Sequence, residues 1–445
     1  MRNASAPPTG ILWPLLVMVM GAGAQAAETL MITDIPAEAV ATDSKLLEPP
    51  QQVGDVTDTA PDPETLKKTV DQYEHSISEL QQAHGVFYDR IGEELTGLGI
   101  AYRNLGQYPE ALAAFNRALH ISRVNNGLQN LQQLPILEQI IATNTATGDW
   151  AALDQNYRYL YWINRRSLGA TDLRLLPVID RLAGWHLNAY TLAADPLSFN
   201  HLLSANTLFL DAAAIIETNY GPYDQRLINP LYGIAMANYQ MAFHAYNSGD
   251  YVDFRSSTTN PNRLELMLEE EGAIQELISH AYRTGKMAML RVIDINAHNP
   301  DMPATARGTA LIYLGDWYLL FNRRSTANET YALAYARLTE SGMHKDEIDK
   351  LFEHPRSLPA LQMPVVNQLD DAKEDNDNNY VLAKFDVSKT GKATNIEIIE
   401  AKPADDELIQ RRAKDAIRAT RFRPRLEDGQ PVETTDVNIR YVFHE

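Results

Sequence analysis

The chain has no cysteine among its 445 residues. This absence excludes disulfide bonds, thiol nucleophiles, thiolate metal sites and lipid attachment through an N-terminal cysteine. Basic residues are outnumbered, with 39 Lys and Arg against 58 Asp and Glu, and the formal net charge is −19. Because nucleic-acid binding requires a basic face, the composition argues against a nucleic-acid partner.

Sequence motifs of catalysis are also missing. The chain has no G-x-S-x-G, no H-E-x-x-H, no Walker A sequence and no G-x-G-x-x-G after a strand. Its eleven histidines are scattered, and His186 lies on a repeat helix where a packed or surface histidine is expected rather than a ligand. The acids Glu269 to Glu271 point three ways around a helix, which favours a solvated face over a cation site. We predict no catalytic residue, no metal site and no cofactor.

The first residues have the features of an export signal. Arg2 precedes a short apolar run, Ile11 to Met20, and the sequence Ala24-Gln25-Ala26 follows it. This arrangement predicts a signal peptide, residues 1–26, cleaved after Ala26. The competing interpretation is an uncleaved inner-membrane anchor, but the run is shorter than the roughly 20 residues that span a bilayer. No later segment is expected to span, so we predict a periplasmic protein that meets membranes only through its partners.

Two segments have the composition of spacers. Residues 27–64 carry nine acids against one base, Lys45, together with five prolines, which predicts a disordered acidic leader. Residues 355–379 contain three prolines followed by a run of acids, Asp and Asn. This second segment is predicted to be a linker that buries little.

The stretch from Gly92 to Val124 has one apolar stripe on each of two helices joined at Gly106. Gly99 lets two backbones approach closely, and Phe115 is expected to fill the core beside it. The pattern resembles a tetratricopeptide repeat (TPR) unit, although Arg123 stands where the closing proline is usual. Such a hairpin cannot bury its stripe alone, so the flanking sequence should repeat it.

The repeat has a period of 42 residues. Gly85, Gly127 and Gly169 follow one another at that interval, and a fourth copy begins at Gly221 after a ten-residue insertion. A further unit extends over 308–341. We therefore expect about six helix pairs within residues 65–354, stacked as a right-handed solenoid with a concave groove.

The repeat register assigns nine residues of the first helices to that groove. A mixed polar and aromatic lining suits a peptide ligand, and the alternative is ordinary solvated helix surface. The nine residues are Glu93, Thr96, Arg103, Asn104, Asp180, Asn188, Tyr232, Tyr239 and Gln240.

Residues 380–445 change from helical to alternating periodicity. Two strands flank a turn at Gly391, a helix runs to Thr420, and a last strand follows, which predicts a small β-β-α-β unit. In the last strand Val437, Ile439, Tyr441 and Phe443 should face inward, and Asn438, Arg440 and Val442 should face outward along an open edge. The predicted fold class is mostly α, with a TPR-like solenoid followed by a small α+β domain.

This C-terminal unit carries the sequences Arg421-Phe422-Arg423-Pro424 and Asp428-Gly429-Gln430-Pro431-Val432. With these it resembles the C-terminal domain of the TonB family of Gram-negative bacteria. In that family the domain is joined to an inner-membrane helix by a proline-rich spacer, and it binds a segment of an outer-membrane receptor as an added strand beside its final strand. The resemblance implies strand addition at Asn438, Arg440 and Val442. Here a helical solenoid replaces the spacer.

These features predict a non-enzymatic periplasmic scaffold that binds proteins or peptides, among them an outer-membrane receptor or another envelope protein. The first alternative is a TonB-family energy transducer for outer-membrane transport, anchored by an uncleaved N-terminus. An enzyme-associated subunit or an unrecognised hydrolase is the least supported alternative, because no catalytic constellation is present.

Overall fold

The structure is a computed structural model, and it describes residues 62–191, 198–247, 261–359, 380–404 and 406–442. The predicted signal peptide with its Ala26 cleavage site, nearly all of the acidic leader, residues 360–379 of the predicted linker, and Phe443 lie outside these ranges. Within them the chain forms thirteen α-helices and seven β-strands.

Twelve helices up to Phe352 form a stack in which consecutive helices pack against each other. Short turns join most of them, and one-turn 3₁₀ helices begin three of the repeats. The arrangement confirms the predicted TPR-like solenoid. The helices are α1 (Pro63–His84), α2 (Asp89–Asn104), α3 (Tyr108–Asn126), α4 (Leu134–Thr147), α5 (Trp150–Leu168), α6 (Leu176–Thr191), α7 (Ser198–Tyr220), α8 (Ile228–Asn247), α9 (Pro261–His298), α10 (Ala304–Leu320), α11 (Arg324–Glu340) and α12 (Lys345–Phe352).

The glycines that set the period end equivalent helices. Gly85, Gly127, Gly169 and Gly221 have φ angles of 90°, 84°, 96° and 92°. Residues with a Cβ rarely adopt this backbone conformation, so glycine is needed wherever the chain leaves one repeat and enters the next. The 42-residue period of the glycines therefore marks the positions at which equivalent helices end.

A second repeated feature was not predicted from the sequence: it joins the loop that begins a repeat to the end of the same repeat. Near the end of α3, Asn125 Nδ2 donates to the carbonyl of Phe87 at 2.8 Å, and near the end of α7, Asn219 Nδ2 donates to the carbonyl of Thr171 at 3.0 Å. The side chains thus supply hydrogen-bond donors to backbone carbonyls in the loops, which lie outside the helical hydrogen-bond pattern. The remaining pairs are Ser167 with Gln129 and Asn299 with Tyr223.

The sequence predicted a close helix contact in the first repeat, and the structure contains it. Phe115 is fully buried, and a Cβ added to Gly99 would lie 2.4 Å from the Phe115 ring. The last repeat has the same arrangement at the same spacing, where a Cβ on Gly315 would lie 2.4 Å from the ring of Tyr331. A glycine on the first helix thus makes room for an aromatic ring on the second.

The C-terminal unit is a three-stranded antiparallel sheet in which β2 (Tyr380–Val387) lies between β3 (Ala393–Lys402) and β7 (Thr434–Val442). Helix α13 (Glu407–Ala419) packs on β2 and β3. This agrees with the predicted β-β-α-β order, to which short strands are added. Its core includes Phe385, Ile417 and Phe422. The elements are β1 (Arg356–Leu358), β2 (Tyr380–Val387), β3 (Ala393–Lys402), α13 (Glu407–Ala419), β4 (Arg421–Arg423), β5 (Arg425–Glu427), β6 (Gln430–Val432) and β7 (Thr434–Val442).

The first residues of the predicted linker are structured, which corrects the expectation that residues 355–379 bury little. Arg356–Leu358 form β1, which pairs antiparallel with β4, so that Leu358 lies opposite Arg421. Leu358 is also buried in the core of the last repeat. The short strand is held by the pairing of three residues and by the burial of one apolar side chain. The proline-rich composition of the flanking sequence gave no indication of this strand.

One described helix is long and apolar enough to cross a membrane by length and composition, namely Phe199–Tyr220 within α7. The expectation that no later segment could span is therefore wrong as a statement about composition. The helix packs between α6 and α8 and buries Leu202, Phe209 and Ile216. The helix is apolar because it packs against a neighbouring helix on each of two sides.

Candidate protein-interaction site

Strand β7 lies at an edge of the C-terminal sheet. Within the described ranges it pairs only with β2, with Ile439 opposite Ala383 and Tyr441 opposite Val381. Tyr441 is buried and Ile439 half-buried, whereas Asn438 is exposed. The alternation agrees with the predicted inward and outward faces. Val442 is the last residue of the strand. An edge of this kind presents backbone N–H and C=O groups to a further strand.

The charged groups near β7 are directed along the sheet. The Arg440 guanidinium is stacked 4.2 Å from the ring centroid of Tyr380, which belongs to the neighbouring strand β2. At the start of β7, Asp436 forms an ion pair with Lys384 of β2 at 3.0 Å. Both side chains lean towards β2. They therefore give the opposite edge of β7 little of the charged protection that exposed edges usually carry.

The C-terminal unit is fixed to the last repeat by a buried ion pair. Arg423 Nε donates to Asp316 Oδ1 of α10 at 2.8 Å, and its Nη2 donates to Oδ2. Both residues are only 4% exposed. Tyr331 of α11 donates its hydroxyl to the same Oδ1 at 2.8 Å. The three side chains satisfy one another, as buried polar groups must.

Electrostatics keep this ion pair charged. Burial alone lowers the pKa of Arg423, but attraction to Asp316 more than offsets it and the pKa lies above its ordinary value. Burial also raises the pKa of the Tyr331 hydroxyl well above its ordinary value, so this group remains a donor. The contact should therefore persist across the physiological pH range.

The second motif of the C-terminal unit makes the outer part of the same contact. Asp428 accepts from Lys345 Nζ of α12 at 2.7 Å and from the Tyr335 hydroxyl of α11 at 3.4 Å. Gly429 packs on Tyr335, because a Cβ added there would lie 3.2 Å from the Tyr335 Cβ. Leu426 enters the core of the last repeat. Arg423, Asp428 and Gly429, three of the residues that carry the TonB resemblance, thus contact the solenoid.

The structure distributes the nine predicted groove residues over α2, α6 and α8. Glu93, Asn104 and Asp180 are exposed, whereas the other six are half-buried. The two tyrosines of the fourth repeat pack on the next one, with Tyr232 5.5 Å from Tyr313 and Tyr239 6.4 Å from Phe321 between ring centroids. These rings join repeats as well as lining a surface. The half-buried residues are Thr96, Arg103, Asn188, Tyr232, Tyr239 and Gln240.

Asp180 differs from an ordinary surface acid. Its side chain reaches solvent, yet the surrounding protein displaces enough water to raise the pKa of its carboxyl to about 6. A raised pKa shows that the negative charge is poorly compensated.

A polar cluster between α5, α6 and α7 was not predicted. His186 is buried, as expected of a packed histidine, but its Nδ1 lies 2.8 Å from Nδ1 of His201 and 3.8 Å from Oδ1 of Asp154. Burial lowers the pKa of His186 to about 4. No periodic signal joins these residues, because each belongs to a different helix.

Comparisons with known families divide the chain in the same way. Residues 370–443 match the model of the Gram-negative bacterial TonB protein C-terminal domain, and residues 92–123 match the tetratricopeptide repeat model. The chain is therefore a TPR-type solenoid joined to a TonB-type C-terminal domain. Both are protein-interaction domains, and the TonB-type domain indicates a protein of the Gram-negative cell envelope.

Solved structures similar to the chain are repeat proteins of low identity. One is described as a kinesin light chain from Podosopora anserina with nearly identical TPR-like repeats, at 13% identity and a TM-score of 0.34, covering 57% of this chain and 97% of that one. Another is BtubC from P. vanneervenii, at 12% identity and a TM-score of 0.30, covering 63% and 93%. Comparison with curated proteins finds no match.

Proposed function

We propose that the protein is a non-enzymatic periplasmic scaffold whose TonB-type domain binds an extended segment of a partner along β7. The observation that carries the proposal is the edge position of β7, which pairs with β2 alone in the described part of the chain. An added strand supplies backbone hydrogen bonds on that side, and alternate side chains of the segment would give specificity.

The fixed position of the domain supports this function. Because Arg423, Asp428 and Leu426 hold the domain on the last repeat, β7 is presented in one orientation relative to the solenoid. A preorganised binding edge loses less entropy on association than a tethered, freely rotating one. The partner segment and a second ligand on the solenoid would therefore be held at a defined distance.

The second ligand is proposed to bind the concave surface at the predicted groove residues. Exposed Glu93 and Asp180 lie on this surface together with half-buried Arg103, and the raised pKa of Asp180 favours a ligand that brings a positive charge to that position. A basic or mixed peptide fits these properties. Replacing Asp180 with Asn should weaken such a ligand while leaving capture at β7 unchanged.

Photo-crosslinking tests the use of β7 in cells. A photoreactive residue in place of Asn438 would lie on the proposed edge, and the same residue in place of Glu397 would lie on β3, the other outer strand of this sheet. Both positions are exposed. We expect one specific envelope protein to be crosslinked from position 438 and not from 397. Equal crosslinking from both positions would contradict the proposal.

The alternative function is a TonB-family energy transducer, which the match over residues 370–443 favours. That function requires an N-terminal membrane anchor, whereas the scaffold requires cleavage after Ala26. The mass of the exported protein decides between them: the scaffold predicts a first residue of Ala27 in the soluble periplasmic fraction, and the transducer predicts intact Met1 in the inner membrane.

A further inference from the structure

The cluster of Asp154, His186 and His201 has the composition of a transition-metal site. One ligand-capable atom of each residue lies within 4.8 Å of the others. Three consecutive helices supply them, α5, α6 and α7, and these helices pack against one another. The cluster is therefore held by the repeat scaffold itself.

A carboxylate and an imidazole are not required by the repeat at these positions. One period earlier Leu112 stands at the position of Asp154, and Asn144 and Tyr102 stand at that of His186 one and two periods earlier. An ordinary TPR core is built there without a carboxylate or an imidazole. Two histidines that are 2% and 4% exposed must satisfy their polar atoms inside the protein.

We propose that Asp154, His186 and His201 bind a divalent transition-metal ion, with zinc as the reference ion. Two imidazole nitrogens and one carboxylate oxygen suit Zn²⁺, Co²⁺, Ni²⁺ or Cu²⁺, whereas Ca²⁺ and Mg²⁺ prefer oxygen ligands. Three protein ligands leave a fourth position of a tetrahedral ion for water or another ligand.

Two of the three distances between ligand atoms need only small adjustments, and the third pair lies within 4.8 Å. Zinc–nitrogen bonds of about 2.0–2.1 Å place two tetrahedral ligand atoms about 3.4 Å apart. The two Nδ1 atoms are 2.8 Å apart, and His186 Nδ1 is 3.8 Å from Asp154 Oδ1. One distance must open and the other close by roughly half an ångström each, which rotations of the side chains can supply.

Metal binding neither releases nor takes up a proton when both histidines are neutral. In the hydrogen-bonded pair one Nδ1 carries the proton and the other accepts it. When the metal binds both Nδ1 atoms, the donor histidine keeps its proton count by holding the proton on Nε2 instead. Binding therefore requires a change of tautomer and no net proton release.

Neighbouring groups orient the carboxylate. Trp185 Nε1 donates to Asp154 Oδ1 at 3.0 Å, and Arg158 Nε lies 2.8 Å from Oδ2. Each carboxylate oxygen has two acceptor positions, so Oδ1 can accept from Trp185 and still face a metal ion. Outer contacts of this kind fix ligands in metal sites. Because Trp185 shares the carboxylate, a bound ion should also alter its fluorescence.

The test uses the full chain, stripped with a chelator and titrated with Zn²⁺ against a chromophoric competitor, with Ca²⁺ as a negative control. We expect one tightly bound Zn²⁺ per chain, a visible absorption band with Co²⁺ and no response to Ca²⁺. Asp154→Asn preserves the shape of the carboxylate and its acceptor for Trp185. It should weaken Zn²⁺ binding by at least the roughly 10–100-fold that loss of an outer contact costs.

The control variant is His280→Asn, which removes an exposed histidine of α9 outside the cluster. It should leave the affinity for Zn²⁺ unchanged, whereas His186→Asn should abolish the site. If circular dichroism shows that His186→Asn does not fold, the metal site is tested with Asp154→Asn, because Asp154 is partly exposed and its replacement is less disruptive. Absence of a one-to-one site in the wild-type chain, or unchanged binding by folded Asp154→Asn, would overturn the proposal and leave a hydrogen-bonded histidine pair.

Discussion

Arg423 of the C-terminal domain and Asp316 of the last repeat form a buried ion pair with two hydrogen bonds. The pair depends on an adaptation of the repeat. Tyr331 and Asp316 stand at the positions that Phe115 and Ile100 hold in the first repeat. The hydroxyl of Tyr331 and the carboxylate of Asp316 thus convert an apolar repeat core into an acceptor for the guanidinium. The last repeat therefore differs from the first at the positions that bind Arg423 of the TonB-type domain.

Removing the arginine should destabilise the whole protein. Arg423→Met leaves the Asp316 carboxylate buried without its cation, which should lower the free energy of unfolding by about 3–5 kcal/mol. Urea unfolding measures this loss. The double variant Asp316→Asn/Arg423→Met should recover part of it, because no bare charge remains.

The matched control is Arg418→Met, which removes the arginine of an exposed pair with Asp415. A surface pair contributes about 1 kcal/mol or less. A loss for Arg423→Met no larger than that of the control would show that the domain is not fixed through Asp316.

Cleavage between residues 360 and 379 should leave the two fragments associated. Strand β1 remains on the solenoid side of the cut and β4 on the other, and they are hydrogen-bonded partners. Together with the buried arginine, this pairing should hold the fragments together in size-exclusion chromatography after limited proteolysis. In Arg423→Met the fragments should separate more readily. Separation of the wild-type fragments under native conditions would contradict the docking.

The repeats can be predicted from the sequence and the docking cannot, for a physical reason. Gly85, Gly127 and Gly169 are periodic because each repeat needs a helix end with positive φ, and this local requirement is written into the sequence. Asp316 and Arg423 are 107 residues apart, and each alone reads as an ordinary surface charge. Contacts between the solenoid and the C-terminal domain do not recur at a fixed interval in the sequence, so periodicity cannot reveal them.

The same reasoning applies to the candidate sites. Alternation predicted the two faces of β7 because a strand has a two-residue period. The groove register could not reveal that Tyr232 and Tyr239 also contact the next repeat, because the tilt between repeats decides this. His186 was expected to be a packed or surface histidine, and its proximity to Asp154 and His201 could not be predicted because three helices bring these residues together.

The close contact in the first repeat can be tested from both sides. Phe115→Ala should cost about 3–5 kcal/mol by leaving a cavity, and Gly99→Ala should cost about 1–3 kcal/mol because its Cβ meets the Phe115 ring. Gly184→Ala is the matched control, since a Cβ on this helical glycine meets no atom within 4 Å. It should stabilise the helix by up to about 1 kcal/mol. Similar effects of the two glycine variants in thermal or urea unfolding would mean that the repeat packing is wrong.

Capture at β7 should depend on the backbone rather than on outward side chains. Asn438→Ser and Arg440→Lys should retain the crosslinked partner. Asn438→Pro or Arg440→Pro should lose it wherever the missing N–H faces the open edge, while the domain stays folded. Circular dichroism and pull-down of the purified variants measure the two properties. Retention of the partner by both folded proline variants would argue against strand addition.

Amide hydrogen exchange, resolved residue by residue, tests the central claim most directly. The full chain is compared with and without a synthetic peptide that covers the crosslinked segment. We expect new protection at alternate amides within Thr434–Val442, because only every second N–H of β7 faces the open edge. The amides of Ala393–Lys402 on β3 should be unchanged. Binding of the peptide with protection on β3, or with no change on β7, would contradict the account.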